Sequence, residues 1–179
     1  MTPRRLARPF DSLPPLRDRV EPGVRVLFVG INPGIRSAET GHHFAGYSNR
    51  FWKLLSAARL VPEPVTFLDD DRLGEWGFGI TNLIARATPG IDTLERAEHA
   101  RGERVLRRKV RRWKPEIVAF VGVSLYRFVF DKRGPVALGP QNETFEGARV
   151  FVLPNPSGRN ANFTYLEMLR AFRRLKKEM

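Results

Sequence analysis

The chain has 179 residues, 42% of them hydrophobic, with 31 Lys and Arg against 19 Asp and Glu, a net charge of +12 and a pI near 11.1. That length suits one domain with a substantial core. The lack of Cys excludes disulfides and thiolate or iron–sulfur sites, and no apolar run approaches the ~18 residues of a membrane span. The basic N-terminus has no apolar signal-peptide core, so a cytoplasmic, nucleoid-associated protein without a membrane partner is expected. The cationic excess points first to a polyanion, chiefly nucleic acid.

Residues 1–20, with five Arg and four Pro, read as a basic, flexible arm, leaving 21–179 as one domain. Val24–Gly30 reads as the first strand, its run from Val26 to Val29 continuously apolar as in a central parallel strand. Ile31–Tyr47 reads as a long Gly- and Pro-rich loop. Ser48 is placed to cap a helix over about 49–60, with Phe51, Leu54, Leu55 and Ala58 on one face. A short helix near 69–75 leads to a second strand over 78–82 and a loop over 84–91. Asp92 with Glu95 three residues on has the form of a helix start, and a strongly basic helix is expected over 93–113, stopped by Pro115. A third strand follows over 116–122, then a short helix over 123–131 and a connection over 132–142. Glu143–Phe145 and Ala148–Leu153 form a hairpin around Glu146-Gly147, and a last helix covers 164–178. Strands separated by helices give an α/β sandwich around a mainly parallel sheet.

Two of these strands end alike. Val26–Val29 stops at Gly30-Ile31-Asn32-Pro33-Gly34, and Val150–Leu153 stops at Pro154-Asn155-Pro156-Ser157-Gly158. Ligands of open α/β sheets bind beyond the carboxyl ends of the strands, so two rigid loops there can offer two amides to one substrate. Pro33 fixes the first loop, and Gly34 lets backbone approach a ligand. The loop is neither G-x-G-x-x-G nor a phosphate loop, which removes support for a nucleotide cofactor; an ordinary strand–turn–helix corner is the alternative. Phe44, in the polar stretch 41–50, can stack on a flat ring. His42 and His43 lack the partners of a metal site, with only His99 to join them. Asn155–Asn162 can follow a phosphate backbone or enter a groove. The arginines of 93–113 fall all around their helix and read mostly as solvated.

The ordered set Gly-Ile-Asn-Pro-Gly (30–34), Gly-His-His-Phe (41–44) with Asn-Arg-Phe-Trp (49–52), Ile-Thr-Asn-Leu (80–83) and Leu-Pro-Asn-Pro-Ser-Gly (153–158) resembles the mismatch-specific uracil/thymine DNA glycosylase family. The likeness spans about 24–175. It implies a three-layer α/β/α sandwich around a short, mainly parallel sheet, and removal of uracil and related damaged pyrimidines from G-mismatched duplex DNA without cofactor or metal. By position, it implies that Asn32 holds the attacking water. It also implies that Phe44 stacks on the flipped base, with the backbone amides of Ile31 and Phe44 near its edge. Pro33, Gly34 and Asn49 complete the substrate pocket. Asn155 lies in a second catalytic loop, while Ser157, Gly158, Arg159 and Asn160 contact the DNA, those after Gly158 entering the stack left by the base. The partner implied is double-stranded DNA containing G·U or related lesions, and a monomer is expected.

The chemistry can be judged on its own terms. A base must be extruded before its glycosidic carbon can be reached. Bond cleavage then leaves positive charge on the sugar and negative charge on the base, which donors can stabilise. An Asn amide places water but is a poor base, so a modest rate is expected. Bacterial members usually carry an apolar wedge and Ser-Arg after Pro-Ser-Gly. Arg159-Asn160-Ala161 stand here, and an Arg can fill the gap and bond the orphaned guanine. Asp92 is a second departure: a carboxylate on a third cleft-side loop, either catalytic or a helix cap. No Lys lies in either Asn loop, which disfavours a Schiff-base lyase. A non-catalytic nucleic-acid binder of the same fold is the alternative. A small-molecule nucleoside hydrolase is opposed by the charge.

Overall fold

The computed structural model describes residues 12–179. Its sheet comprises β1 (Val26–Gly30), β2 (Phe78–Asn82), β3 (Ile117–Val121), β4 (Gly139–Phe145) and β5 (Ala148–Leu153), in the order β2-β1-β3-β5-β4. The pairs β2/β1, β1/β3 and β3/β5 are parallel, whereas β4 is antiparallel to β5. The hairpin turns at Glu146 and Gly147, both at positive φ, as the tight two-residue turn requires.

Every residue of β1, β2 and β3 is buried, because helices cover both faces. Side chains alternate along β1. Val26 and Phe28 pack with Phe51, Leu54, Leu55 and Phe172; Leu27 and Val29 pack with Leu106, Val110, Leu125 and Tyr126. The first face is thus covered by α2 (Phe51–Ala57), α5 (Tyr165–Glu178) and a 3-10 helix over Phe67–Trp76. The second is covered by α3 (Arg96–Trp113) and α4 (Val123–Val129). This is the expected three-layer α/β/α sandwich. Another helix, α1 (Ile35–Thr40), and a 3-10 turn over Ile91–Thr93 sit at the carboxyl ends of the strands.

Several expectations need correction. The second half of the expected flexible arm is laid against the domain. Arg19 and Ile80 exchange backbone hydrogen bonds of 2.8 and 2.9 Å, Leu16 N–H donates to Ala85 O, and Leu16 is buried. This segment covers the open edge of β2, a site that would otherwise pair indiscriminately; residues 1–11 lie outside the described residues. The expected loop 31–47 contains α1, which has too few turns to show periodicity. Ser48 caps nothing: α2 begins at Phe51, whose N–H donates to Asn49 Oδ1. Asp92 does not start α3. Glu95 is its N-cap, closed reciprocally with Glu98, and the helix begins three residues later than expected. Strand β4 starts at Gly139 rather than Glu143, because an edge strand with alternating exposure lacks the apolar run that betrays a central one. The α3 cations are not all merely solvated. Arg107 pairs with Glu103 and Glu146, and Lys109 with Asp18.

Candidate active site

A cleft of about 700 Å³ opens at the carboxyl ends of β1, β2, β3 and β5. Ile31, Asn32, Pro33 and Gly34 enter it from the loop after β1, and Phe44 and Asn49 from the segment before α2. Asp92 enters from the 3-10 turn, and Asn155, Ser157, Arg159 and Asn160 from the loop after β5. Four segments separated by up to about 120 residues therefore meet because the strands are parallel and end together. Gly158 is not on the wall. It packs on Ser48, where a Cβ would sit 2.4 Å from the Ser48 Cβ, so the two loops touch and Gly158 has no room for a side chain.

The orientation of Asn32 is settled by a chain of hydrogen bonds. The Thr88 hydroxyl donates to Gly90 O at 2.7 Å, so its oxygen is left to accept. Asn32 Nδ2 donates to it at 2.8 Å, and also approaches Pro33 O at 3.2 Å. The amide nitrogen is thereby occupied, and Oδ1 accepts no hydrogen bond among the described residues. A lone carbonyl oxygen in a cleft is an acceptor able to hold a water. Thr88 itself is fixed by its N–H to Pro33 O at 3.2 Å and is buried.

Asn155 has the reverse polarity. Its Oδ1 accepts from Ser157 N–H at 3.0 Å, closing a local Asx turn. Its Nδ2 is left unpaired among the described residues and is a free donor. Asn49 likewise commits Oδ1, to Phe51 N–H, and keeps Nδ2 free.

Arg50 joins the two sides. Its backbone N–H donates to Pro156 O at 3.0 Å and its Nη2 to Ser157 O at 2.8 Å, so the loop carrying Asn155 and Arg159 is held by its carbonyls. The Arg159 side chain makes no hydrogen bond or ion pair among the described residues and is exposed.

Phe44 has φ 52°, an uncommon conformation for a bulky residue. The strain is held by neighbours: its ring stacks on Phe51 at 4.1 Å and 20°, and Ala45 N–H donates to Ser37 Oγ. One face of the ring rests on the core and the residue lines the cleft, an arrangement suited to receiving a flat base.

Two residues of the floor stand in the motifs quoted above but had been given no role of their own. Gly30 and Asn82 are partners at the last rung of β1 and β2. A Cβ on Gly30 would lie 2.6 Å from Asn82 Oδ1, so the glycine makes room for that amide. Asn82 ends an apolar strand as Asn32 and Asn155 follow theirs, and that shared position was the available signal. His43, buried beneath it, donates from Nε2 to Arg17 O at 2.8 Å. Burial is the largest influence on its ring and holds its pKa below the usual value, against the raising effects of the Arg17 carbonyl, Asp70 and Asp18. His42 Nδ1 and Arg19 Nε both bond the fully buried Asp70 carboxylate, at 2.9 and 3.2 Å. Among the described residues no group of three His, Asp or Glu is arranged to hold a metal.

Residues 18–176 match the family model of the uracil DNA glycosylase superfamily. The chain belongs to that superfamily. Membership brings with it a hydrolase of the DNA glycosylase type, acting on DNA. The cationic charge of the chain is then the complement of a phosphate backbone.

Proposed function

We propose that this superfamily member is a monofunctional, mismatch-specific glycosylase that flips uracil, and related damaged pyrimidines, out of G-mismatched duplex DNA and hydrolyses the N-glycosidic bond. The observation that carries this reading is the opposed polarity of the two loop amides. Asn32 offers an oxygen and Asn155 an N–H in the same cleft. Water held on Asn32 Oδ1 meets the sugar carbon as positive charge develops there, and the Asn155 amide donates toward the departing base, whose oxygens take up the negative charge. The water oxygen bonds to the sugar carbon as the C–N bond breaks with its electron pair going to the base, which leaves as an anion, and the water's proton passes to solvent in the open cleft. Phe44 holds the flipped ring. Asp92 lines the same cleft, where an ionised carboxylate can orient the water or offset the sugar charge.

The test is incubation with G·U, A·U, G·T and single-stranded U oligonucleotides, followed by alkaline strand cleavage. Release of free uracil with G·U ahead of A·U supports the reading. Tight duplex binding without base release on any substrate would make the protein a binder rather than an enzyme. The protein is expected to act as a monomer in the cytoplasm.

Excision is expected to need no metal. No step above uses one, and the charge changes are met by amides and by the DNA. After exhaustive chelation the G·U rate should stay within about twofold, and restoration only by an added divalent ion would sink the scheme.

Arg159 is expected to enter or follow the vacated stack, since its side chain is exposed beside the cleft and its loop is anchored by Arg50. Arg159→Ala should weaken binding to abasic product DNA opposite guanine by about tenfold, and binding to intact duplex less, because a bidentate contact to guanine is worth ~1–3 kcal/mol. Titrations showing equal losses on both DNAs would reduce Arg159 to a phosphate contact.

A further inference from the structure

We propose that a groove beside the cleft is a second nucleobase site, taking an unpaired base that neighbours the flipped nucleotide in the same strand. Phe44, Tyr47, Phe67 and Tyr165 wall this groove, and Arg36 and Lys53 give it charge. The inference takes from the proposed function only that a DNA strand crosses the cleft, and it adds a feature that tells a single strand from a duplex.

The groove encloses about 710 Å³, room enough for a nucleotide. Tyr47 on its rim is 90% exposed, the one exposed aromatic side chain among the described residues. It is nevertheless held in place. The Arg36 guanidinium lies 3.8 Å from the centre of the Tyr47 ring and 5.4 Å from that of Phe67, both cation–π contacts. Arg36 is itself anchored, because its Nε donates to Ala45 O at 2.7 Å. On α2, Lys53 Nζ stands 5.2 Å from the centre of the Tyr165 ring. Neither the Lys53 ammonium nor the terminal nitrogens of Arg36 make a hydrogen bond or ion pair among the described residues.

The lining decides what the groove can hold. No Asp or Glu stands among its lining residues. Aromatic faces with two unpaired cations and no carboxylate repel a cationic ligand, and they suit a flat ring that carries an anion. A nucleotide is such a group. Position points the same way. Arg36, Phe44, Gly46 and Asn49 line both the groove and the cleft, so the two share a wall. A base still stacked in a duplex lies ~3.4 Å from its neighbour along the strand, and it cannot also sit beyond that wall. An unpaired base can swing across it, and its phosphate then passes the Arg36 guanidinium.

The test uses the full chain and uncleavable single strands, so that its main readout does not depend on excision. One strand carries a tetrahydrofuran abasic site between adenines. In the other, the adenines on either side of that site are tetrahydrofuran as well. Wild-type protein should bind the first about tenfold more tightly, the scale of one base stacked on an aromatic side chain. Tyr47→Ala should bring the two affinities to within about twofold, and Tyr47→Trp should keep the wild-type ratio. Lys53→Gln should weaken both strands alike and reduce the slope of affinity against salt by about 0.7, the share of one phosphate contact on a single strand. In single-turnover excision, Tyr47→Ala should lose about tenfold on single-stranded U and stay within about twofold of wild type on G·U duplex. An unchanged binding ratio in Tyr47→Ala, or equal losses on single strand and duplex, overturns the groove as a base site. Wild-type binding indifferent to the flanking adenines also overturns it, and is the result expected of a groove that serves a protein segment instead. If the wild type releases no uracil from any substrate, the proposed excision fails while the binding ratio still decides the groove.

Discussion

Asn32→Ala is expected to lower single-turnover excision from G·U duplex by roughly 10²-fold or more, the loss that follows removal of a positioned catalytic group. The side chain has one role the fold needs and one it does not. Nδ2 ties the loop to Thr88 and Pro33, and Oδ1 accepts no hydrogen bond among the described residues. Loss of Nδ2 leaves Thr88 Oγ1 bonded to Gly90, so the loop keeps much of its support. Duplex affinity, expected to come from the cationic surface rather than from this neutral amide, should persist within a few-fold. Rapid-quench measurement under enzyme excess, beside a binding titration, separates the two. Unchanged single-turnover rates would remove Asn32 from its role; a fall in rate accompanied by an equal fall in affinity would make it a binding residue.

Asp92→Asn is expected to cut the same rate at least about tenfold with nearly unchanged thermal stability. The sequence alone left this carboxylate between catalyst and helix cap. The cap belongs to Glu95 with Glu98, and Asp92 stands one turn earlier, exposed on the cleft wall with no hydrogen bond among the described residues. Amide for carboxylate keeps the shape and removes the charge that would steady the sugar or turn the water. Melting curves alongside excision from G·U and single-stranded substrates decide it. Near-normal excision by Asp92→Asn on both would leave the residue without a chemical part.

The layered fold could be read from the amino-acid order, because it depends on local pattern. Val26–Val29, Ile117–Val121 and Val150–Leu153 are apolar at every position, and only strands covered on both faces tolerate that. Asn32 and Asn155 stood out because each follows such a run. Asn82 ends the strand before Leu83 and, although it stands in the quoted Ile-Thr-Asn-Leu motif, received no role because an Asn inside a regular strand shows no loop signal. Where the Asn82 amide sits depends on a glycine one strand away and on His43, 39 residues earlier in the chain. The polarity of each loop amide was equally out of reach. An Asn carries both a donor and an acceptor, and which of them is left for the cleft is decided by Thr88 for Asn32 and by Ser157 N–H for Asn155. The same holds for residues 16–20, part of a segment whose arginines and prolines read as an arm until the open edge of β2 gave them a partner. Periodicity records which side of an element meets the core. Which group meets which across the chain is settled only when the strands end side by side and each buried hydrogen bond has to find its complement.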